Sequence, residues 1–110
     1  MENDMPQLGF ALLDACVLAV LSRGDAYGYI LTQNIKRIIE VSESTLYPVL
    51  RRLQNEGHLS AYDNSFNGRN RRYYQITDQG RQKLAEYVCQ WTEYRAGLDK
   101  ILVGGKDEQA

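Results

Sequence analysis

The residues best suited to chemistry in this 110-residue chain are arginines and hydroxyls, and they suit binding rather than bond-making. Ser44, Thr45 and Tyr47 bring three hydroxyls to one short stretch, with Arg51 and Arg52 a turn or two further on. Gly68-Arg69-Asn70-Arg71-Arg72 is a second basic cluster. Hydroxyls at a helix start can bond phosphate oxygens or base edges, and the free N–H groups and dipole there favour an anion. The opposing reading is that Ser44 only caps a helix and Tyr47 only packs. Arg51 and Arg52 are adjacent, so on a helix they point about 100° apart and at most one faces a groove squarely. Glycine allows close approach to a backbone, and alternation on a strand would put Arg69 and Arg71 on one side. Catalytic patterns are missing: no G-x-S-x-G, no phosphate-binding loop and no H-E-x-x-H occurs, so no enzyme is expected. His58 is the only histidine and lacks companions for a metal site; neither metal nor cofactor is expected.

The chain averages disguise this pattern. Net charge is -1 and the isoelectric point is about 5.8, which argues against a nucleic-acid partner. Met1 to Asp25 holds four acids against Arg23, a balance of -3, whereas Ser44 to Arg72 holds five arginines against Glu56 and Asp63, a balance of +3. Basic charge is therefore concentrated in one stretch. The chain is 44% hydrophobic and 25% charged, the range of ordinary folded domains. The longest apolar-rich run, Phe10 to Leu21, is interrupted by Asp14 and follows no basic segment, so neither a membrane span nor a signal peptide is expected. Cys16 and Cys89 lie far apart, consistent with free buried thiols in a reducing compartment, which favours the cytoplasm.

Elements that would position these residues can be read from spacing. A buried first helix is expected over Leu8 to Ser22, with Leu13, Val17, Val20 and Leu21 in its stripe. Arg23-Gly24-Asp25 should end it and cap a second helix from Ala26 to Ile38, with Ile30, Leu31, Ile35 and Ile38 turned inward. Ser42 or Ser44 should cap a third, carrying Leu46, Val49, Leu50 and Leu53 and closing at Glu56-Gly57; Pro48 inside it predicts an irregular first turn. Leu59, Ala61, Tyr74 and Ile76 flank a polar stretch, Asp63 to Asn70, predicting a hairpin with a long basic tip. Thr77 or Asp78 should cap a last helix in which Leu84, Trp91 and Leu98 fall seven apart, with Tyr87, Val88, Tyr94, Ile101 and Leu102 between or beyond them. Such a seam calls for a partner, so a homodimer is expected. A gap at Trp91, Tyr87 and Tyr94 would stack a planar aromatic ligand, the alternative being a plain aromatic dimer core.

The fold class predicted is mostly helical α+β, a winged helix-turn-helix over residues 8–77 followed by a long dimerisation helix over 78–103, with tails at 1–7 and 104–110. In that plan the third helix enters the major groove and the hairpin touches backbone or minor groove. A protein-interaction winged helix that never touches DNA is the alternative, motivated by the acidic average.

The run Ser44-Thr45-Leu46-Tyr47-Pro48-Val49-Leu50-Arg51-Arg52-Leu53 with Glu56-Gly57 resembles the recognition-helix signature of the PadR family of bacterial transcriptional regulators. Asp25-Ala26-Tyr27-Gly28-Tyr29 and Gly68-Arg69-Asn70-Arg71-Arg72-Tyr73-Tyr74 with Ile76-Thr77 and Gly80 are similar to it as well. The resemblance implies a dimer on an inverted-repeat operator in double-stranded DNA. It implies repression of a nearby transporter or detoxification gene, in many cases also of the regulator's own gene. The short single terminal helix resembles the subfamily that includes multidrug-sensing members, in which the position of Trp91 lines an apolar pore between subunits. That implies release by a small hydrophobic or aromatic effector. Arg95 stands where cation-binding members can carry an acid, a departure that weighs against a preference for cationic drugs.

Overall fold

The computed structural model describes residues 4–104, with side-chain surroundings from residue 12 onward. The tails expected at 1–3 and 105–110 lie outside the described residues. Seven elements follow one another: α1 (Asp4–Ser22), β1 (Ala26–Tyr27), α2 (Gly28–Lys36), α3 (Glu43–Asn55), β2 (Leu59–Phe66), β3 (Arg69–Ile76) and α4 (Asp78–Leu102). This is the expected mostly helical winged helix with a long last helix. The helix α1 starts at Asp4, ahead of the Leu8 that its apolar stripe suggested and within the segment expected as a tail.

The core is one cluster drawn from every layer. Val17, Leu18 and Leu21 of α1 meet Leu31 and Ile35 of α2, Leu46, Leu50 and Leu53 of α3, and Leu59, Tyr74 and Ile76 of the sheet. The second helix is shorter than expected. Ala26 and Tyr27 pair with Tyr74 and Tyr73 as the edge strand of a three-stranded antiparallel sheet ordered β1-β3-β2. Tyr27 becomes the N-cap of α2 without a side-chain cap, and the expected cap, Asp25, instead accepts a hydrogen bond of 2.6 Å from the Tyr62 hydroxyl. Leu31, Thr32 and Ile35 are the inward positions of α2, whereas Ile30 is 39% and Ile38 85% exposed, a correction to the expected inner stripe.

The hairpin is also corrected. Instead of a long loop, β2 and β3 stay paired to their ends, Phe66 opposite Arg69, and reverse through Asn67-Gly68 with φ of 53° and 76°. Positive φ at both central residues marks a type I′ turn, whose twist matches the strands and which Asn-Gly adopts readily.

The end of α3 and the start of α4 are built as one junction. The His58 N–H reaches the Leu53 carbonyl and the Gly57 N–H that of Gln54, the paired bonds of a Schellman ending. The Thr77 hydroxyl donates to the Gly57 carbonyl at 2.7 Å and accepts from the Gly80 N–H at 3.0 Å, while the Thr77 N–H bonds the His58 carbonyl. Gly80 is required by this approach, because a Cβ there would run into the His58 carbonyl and stand 2.8 Å from Ile76.

Candidate nucleic-acid interface

The exposed face of α3 follows from its cap and its buried leucines. Ser42 is the N-cap, its side chain accepting from the Thr45 N–H at 3.3 Å, so Ser44 is released from capping and only shares a hydroxyl contact with Ser42 at 2.9 Å. With Leu46, Leu50 and Leu53 turned inward, Ser44, Tyr47, Pro48, Arg51 and Asn55 recur at three and four along the opposite face, and all five are exposed. Thr45 is exposed on the flank. Tyr47 serves both readings weighed for it: one ring edge lies over Gly28, where a Cβ would stand 3.4 Å away, and 37% of the residue is open to solvent. The helix runs unbroken through Pro48, so the irregular first turn expected from that residue is not found. Pro48 lies on the wet face, where water can satisfy the Ser44 carbonyl that lost its donor.

The two adjacent arginines have different environments. Of the two arginines offered for the DNA, Arg52 is the acid-paired one: its guanidinium turns back to α1, donating to Asp14 Oδ1 at 2.6 Å and Oδ2 at 3.2 Å, and lies 3.5 Å from Glu56. The hydrogen bond to Asp14 is the largest influence holding that guanidinium charged. Asp14 is 5% exposed, so its charge must be answered from within the fold. Arg51 is exposed with no ion pair among the described residues. The hydroxyl of Tyr87, from α4, donates to Asp14 Oδ2 at 3.3 Å. Burial first, then the Asp14 charge and this hydrogen bond, push the Tyr87 phenol up to about 12. Asp14 as the hub of the site was missed from sequence. An acid inside the apolar run Leu12 to Leu21 was its only signal.

On the wing, Arg69 and Asn70 are exposed, as expected of contact residues. Arg71 is held differently. Its guanidinium lies 4.4 Å from the Tyr27 ring centre and 5.0 Å from that of Phe66, a cation between two aromatic faces. Tyr73 stacks on Tyr62 at 5.6 Å and tilts against Tyr27 at the same distance, so one face of the sheet is a continuous aromatic row. Phe66, not singled out from sequence, is 52% exposed beside the turn. Arg72 stands 3.7 Å from Asp63 across the strands.

The seam of α4 divides along its length. Leu84 and Tyr87, expected at a dimer interface, are half-buried against the chain's own core, and the Tyr87 hydroxyl is bonded to Asp14. Val88 at 51%, Trp91 at 37%, Ile101 at 77% and Leu102 at 74% exposure are left uncovered. Leu98 is half-buried, and Trp91 tilts against Tyr94 with ring centres 6.3 Å apart. A groove of about 470 Å³ between α1 and α2, floored by Cys16, Val20 and Ile35 and rimmed by Arg23 and Arg37, is also open. Both cysteines are free, but only Cys16 is half-buried; Cys89 is exposed, against expectation. No helix among the described residues is long and apolar enough to cross a membrane.

Residues 17–86 match the family described as the transcriptional regulator PadR-like family. A transcriptional regulator of Mycobacterium tuberculosis is 36% identical over 90 residues, 78% of this chain and 78% of its own length. A crystal structure of a Streptococcus mutans protein superposes with a TM-score of 0.82 at 40% identity, covering 86% of this chain and 90% of that one. The Bacillus subtilis PadR solved in complex with operator DNA superposes with a TM-score of 0.64 at 26% identity, covering 70% of this chain and 46% of that one.

The contrast between the arginines has a direct consequence for stability. Arg52→Ala strands a buried carboxylate and should cost about 1–3 kcal/mol, below the value for a fully buried pair because the guanidinium is partly wet. Arg51→Ala should change stability by less than about 0.5 kcal/mol. Urea denaturation of the two variants measures both. The Tyr87 phenol titrates near 10 when unfolded and at about 12 when folded, so the native chain binds the extra proton between those values. Stability from this group is complete below pH about 10 and is lost as pH rises through about 12. The difference in denaturation midpoint between the wild-type chain and Tyr87→Phe should shrink across that window.

Proposed function

This chain belongs to the transcriptional regulator PadR-like family, and we propose that it works as a homodimeric, operator-binding regulator of the cytoplasm. The family is one of transcriptional regulators, not of enzymes. The observation that carries the DNA-binding reading is the exposed row Ser44, Tyr47, Pro48, Arg51 and Asn55 on α3, with Arg51 in no ion pair among the described residues and Arg69 and Asn70 exposed on the adjoining wing. Arg51 has the five donors and planar fork that pair with a guanine edge in the major groove. Ser44, Thr45 and Tyr47 supply hydroxyls, and Arg69 and Asn70 reach phosphate or minor groove from the hairpin tip. A family relative solved on operator DNA supports this assignment of partner.

Dimerisation is supported by what α4 leaves bare. Val88, Trp91, Ile101 and Leu102 form an apolar face on a 25-residue helix, and the apolar groove between α1 and α2 is open on the same chain. Two reading helices related by a twofold axis would meet an inverted repeat with half-sites about 34 Å apart. Repression of a nearby transporter or detoxification gene, and release by a small hydrophobic or aromatic effector stacked on Trp91 beside Tyr94, complete the reading; the tilted pair of rings supports the effector part alone.

Gel-shift titration against the chain's own upstream region at two salt concentrations tests the partner; the expected result is a shift that weakens as salt rises. Arg51→Ala should weaken operator binding by about 1–3 kcal/mol. Arg69→Ala should lower the magnitude of the salt slope by about 0.9, one phosphate contact, with little change in sequence preference. Sedimentation should give a dimer for the wild-type chain and a shift toward monomer for Ile101→Asp, which places a charge on the bare face. A wild-type monomer would refute the dimer reading.

A further inference from the structure

The carboxylate of Asp14 lies where three helices meet, and only one of them faces the expected DNA. Asp14 belongs to α1; its Oδ1 accepts from Arg52 Nη2 at 2.6 Å, and its Oδ2 accepts from Arg52 Nη1 at 3.2 Å and from the Tyr87 hydroxyl at 3.3 Å. The side chain is 6% exposed, so in the packed state its charge is answered by these donors. A buried carboxylate that loses one donor pays the desolvation of that acceptor in full; it is therefore less costly for the remaining partners to move with Tyr87.

That movement has a defined outlet. Arg52 sits in the last turn of α3, about 100° around the helix from Arg51. Leu46, Leu50 and Leu53 hold the rotation of α3, and the Arg52–Asp14 bonds add a polar tie from its last turn to α1. The far end of α3 is already tied by backbone to α4, through Gly57, His58 and Thr77. The Asp14 hub is the second tie, and it is made by side chains that a change in α4 can displace. Tyr87 lies one turn before Trp91, where α4 passes from the protein's own core to its uncovered apolar face.

We propose that Asp14 is a positioning residue for DNA reading: it links the placement of α4, sensed at the Tyr87 hydroxyl, to Arg52, and so sets how firmly the last turns of α3, which carry Arg51, are held. This rests on the DNA-binding reading above. It extends that reading by naming the route through which a partner subunit or ligand on α4 reaches the reading helix.

Tyr87→Phe is the mildest probe, because it removes one hydroxyl and leaves the ring on the core. Binding by the wild-type chain, Tyr87→Phe, Arg51→Ala and the double variant is measured on the chain's own upstream duplex and on a random duplex of equal length. The expected result is a loss of about threefold to tenfold on the upstream duplex for Tyr87→Phe, the size of one hydrogen bond, with binding to the random duplex unchanged. Arg51→Ala should then cost less in the Tyr87→Phe background than alone, the mark of coupled sites. Equal losses on both duplexes, or additive variants, overturn the proposal. Amide resonances of Glu43–Asn55 provide a readout without DNA: Tyr87→Phe should shift those around Arg51 and Arg52, and shifts confined to α4 overturn it. If the wild-type chain binds neither duplex while the α3 resonances do shift, the DNA reading fails and the mechanical link stands alone.

Discussion

A carboxylate buried against a leucine core has to be met by donors from its neighbours, and here that requirement organises the helices. Asp14 takes two hydrogen bonds from Arg52 and one from Tyr87. Burying the charge is costly in itself, and well-packed apolar residues in its place would often be as stable. What the charge contributes is direction: a guanidinium fork has one favourable approach to a carboxylate. With Arg52 committed to α1, its neighbour Arg51 is left facing water. The leucines decide which face of α3 is outward, and the acid on α1 decides that of two neighbouring arginines on that exposed side, Arg52 is engaged and Arg51 is left to water.

The wing is disciplined by aromatic contacts in the same manner. Tyr62 and Tyr73 stack across the strands, Tyr27 of the edge strand joins them, and the guanidinium of Arg71 is enclosed between Tyr27 and Phe66. An arginine held between rings loses less freedom on meeting a phosphate, but it also presents less of itself. Arg69, one strand position beyond the turn, is the more open cation. The bond from Tyr62 to Asp25 fixes the base of the hairpin to the loop after α1, so the tip is carried by a sheet anchored on both edges.

Much of this was legible in the sequence, and the exceptions share a cause. The stripes of α1 and α3, the Gly57 ending and the Thr77 cap depend on residues within a turn of each other, and they were read correctly. Apart from the stripe of α2 and the turn at Pro48, the errors arose where a distant partner decided the outcome. Ala26 and Tyr27 became a strand because Tyr74 and Tyr73 were available to pair with them. Asp63 to Asn70 looked like loop because its residues are polar, yet the Asn67-Gly68 turn let them continue the ladder. Arg51 and Arg52 were indistinguishable in one dimension, since nothing local to them says which one finds Asp14, 38 positions away.

The last helix shows why periodicity alone misassigns an interface. Leu84, Trp91 and Leu98 keep one spacing, and one spacing suggests one partner. The seam changes midway: Leu84 and Tyr87 close the core of the domain, whereas Val88, Trp91, Ile101 and Leu102 lie open beyond it. A helix rigid over 25 residues cannot bend at that change to hide its second half, so the bare face must be covered from outside the chain or remain in water at a cost proportional to its apolar area. Stiffness has a further consequence. A rigid element gripped at one end and loaded at the other moves its grip when the load shifts, and the grip here includes the hydroxyl bonded to Asp14. The same continuity that makes the seam look like a simple dimer interface is what allows its outer half to act on the reading helix.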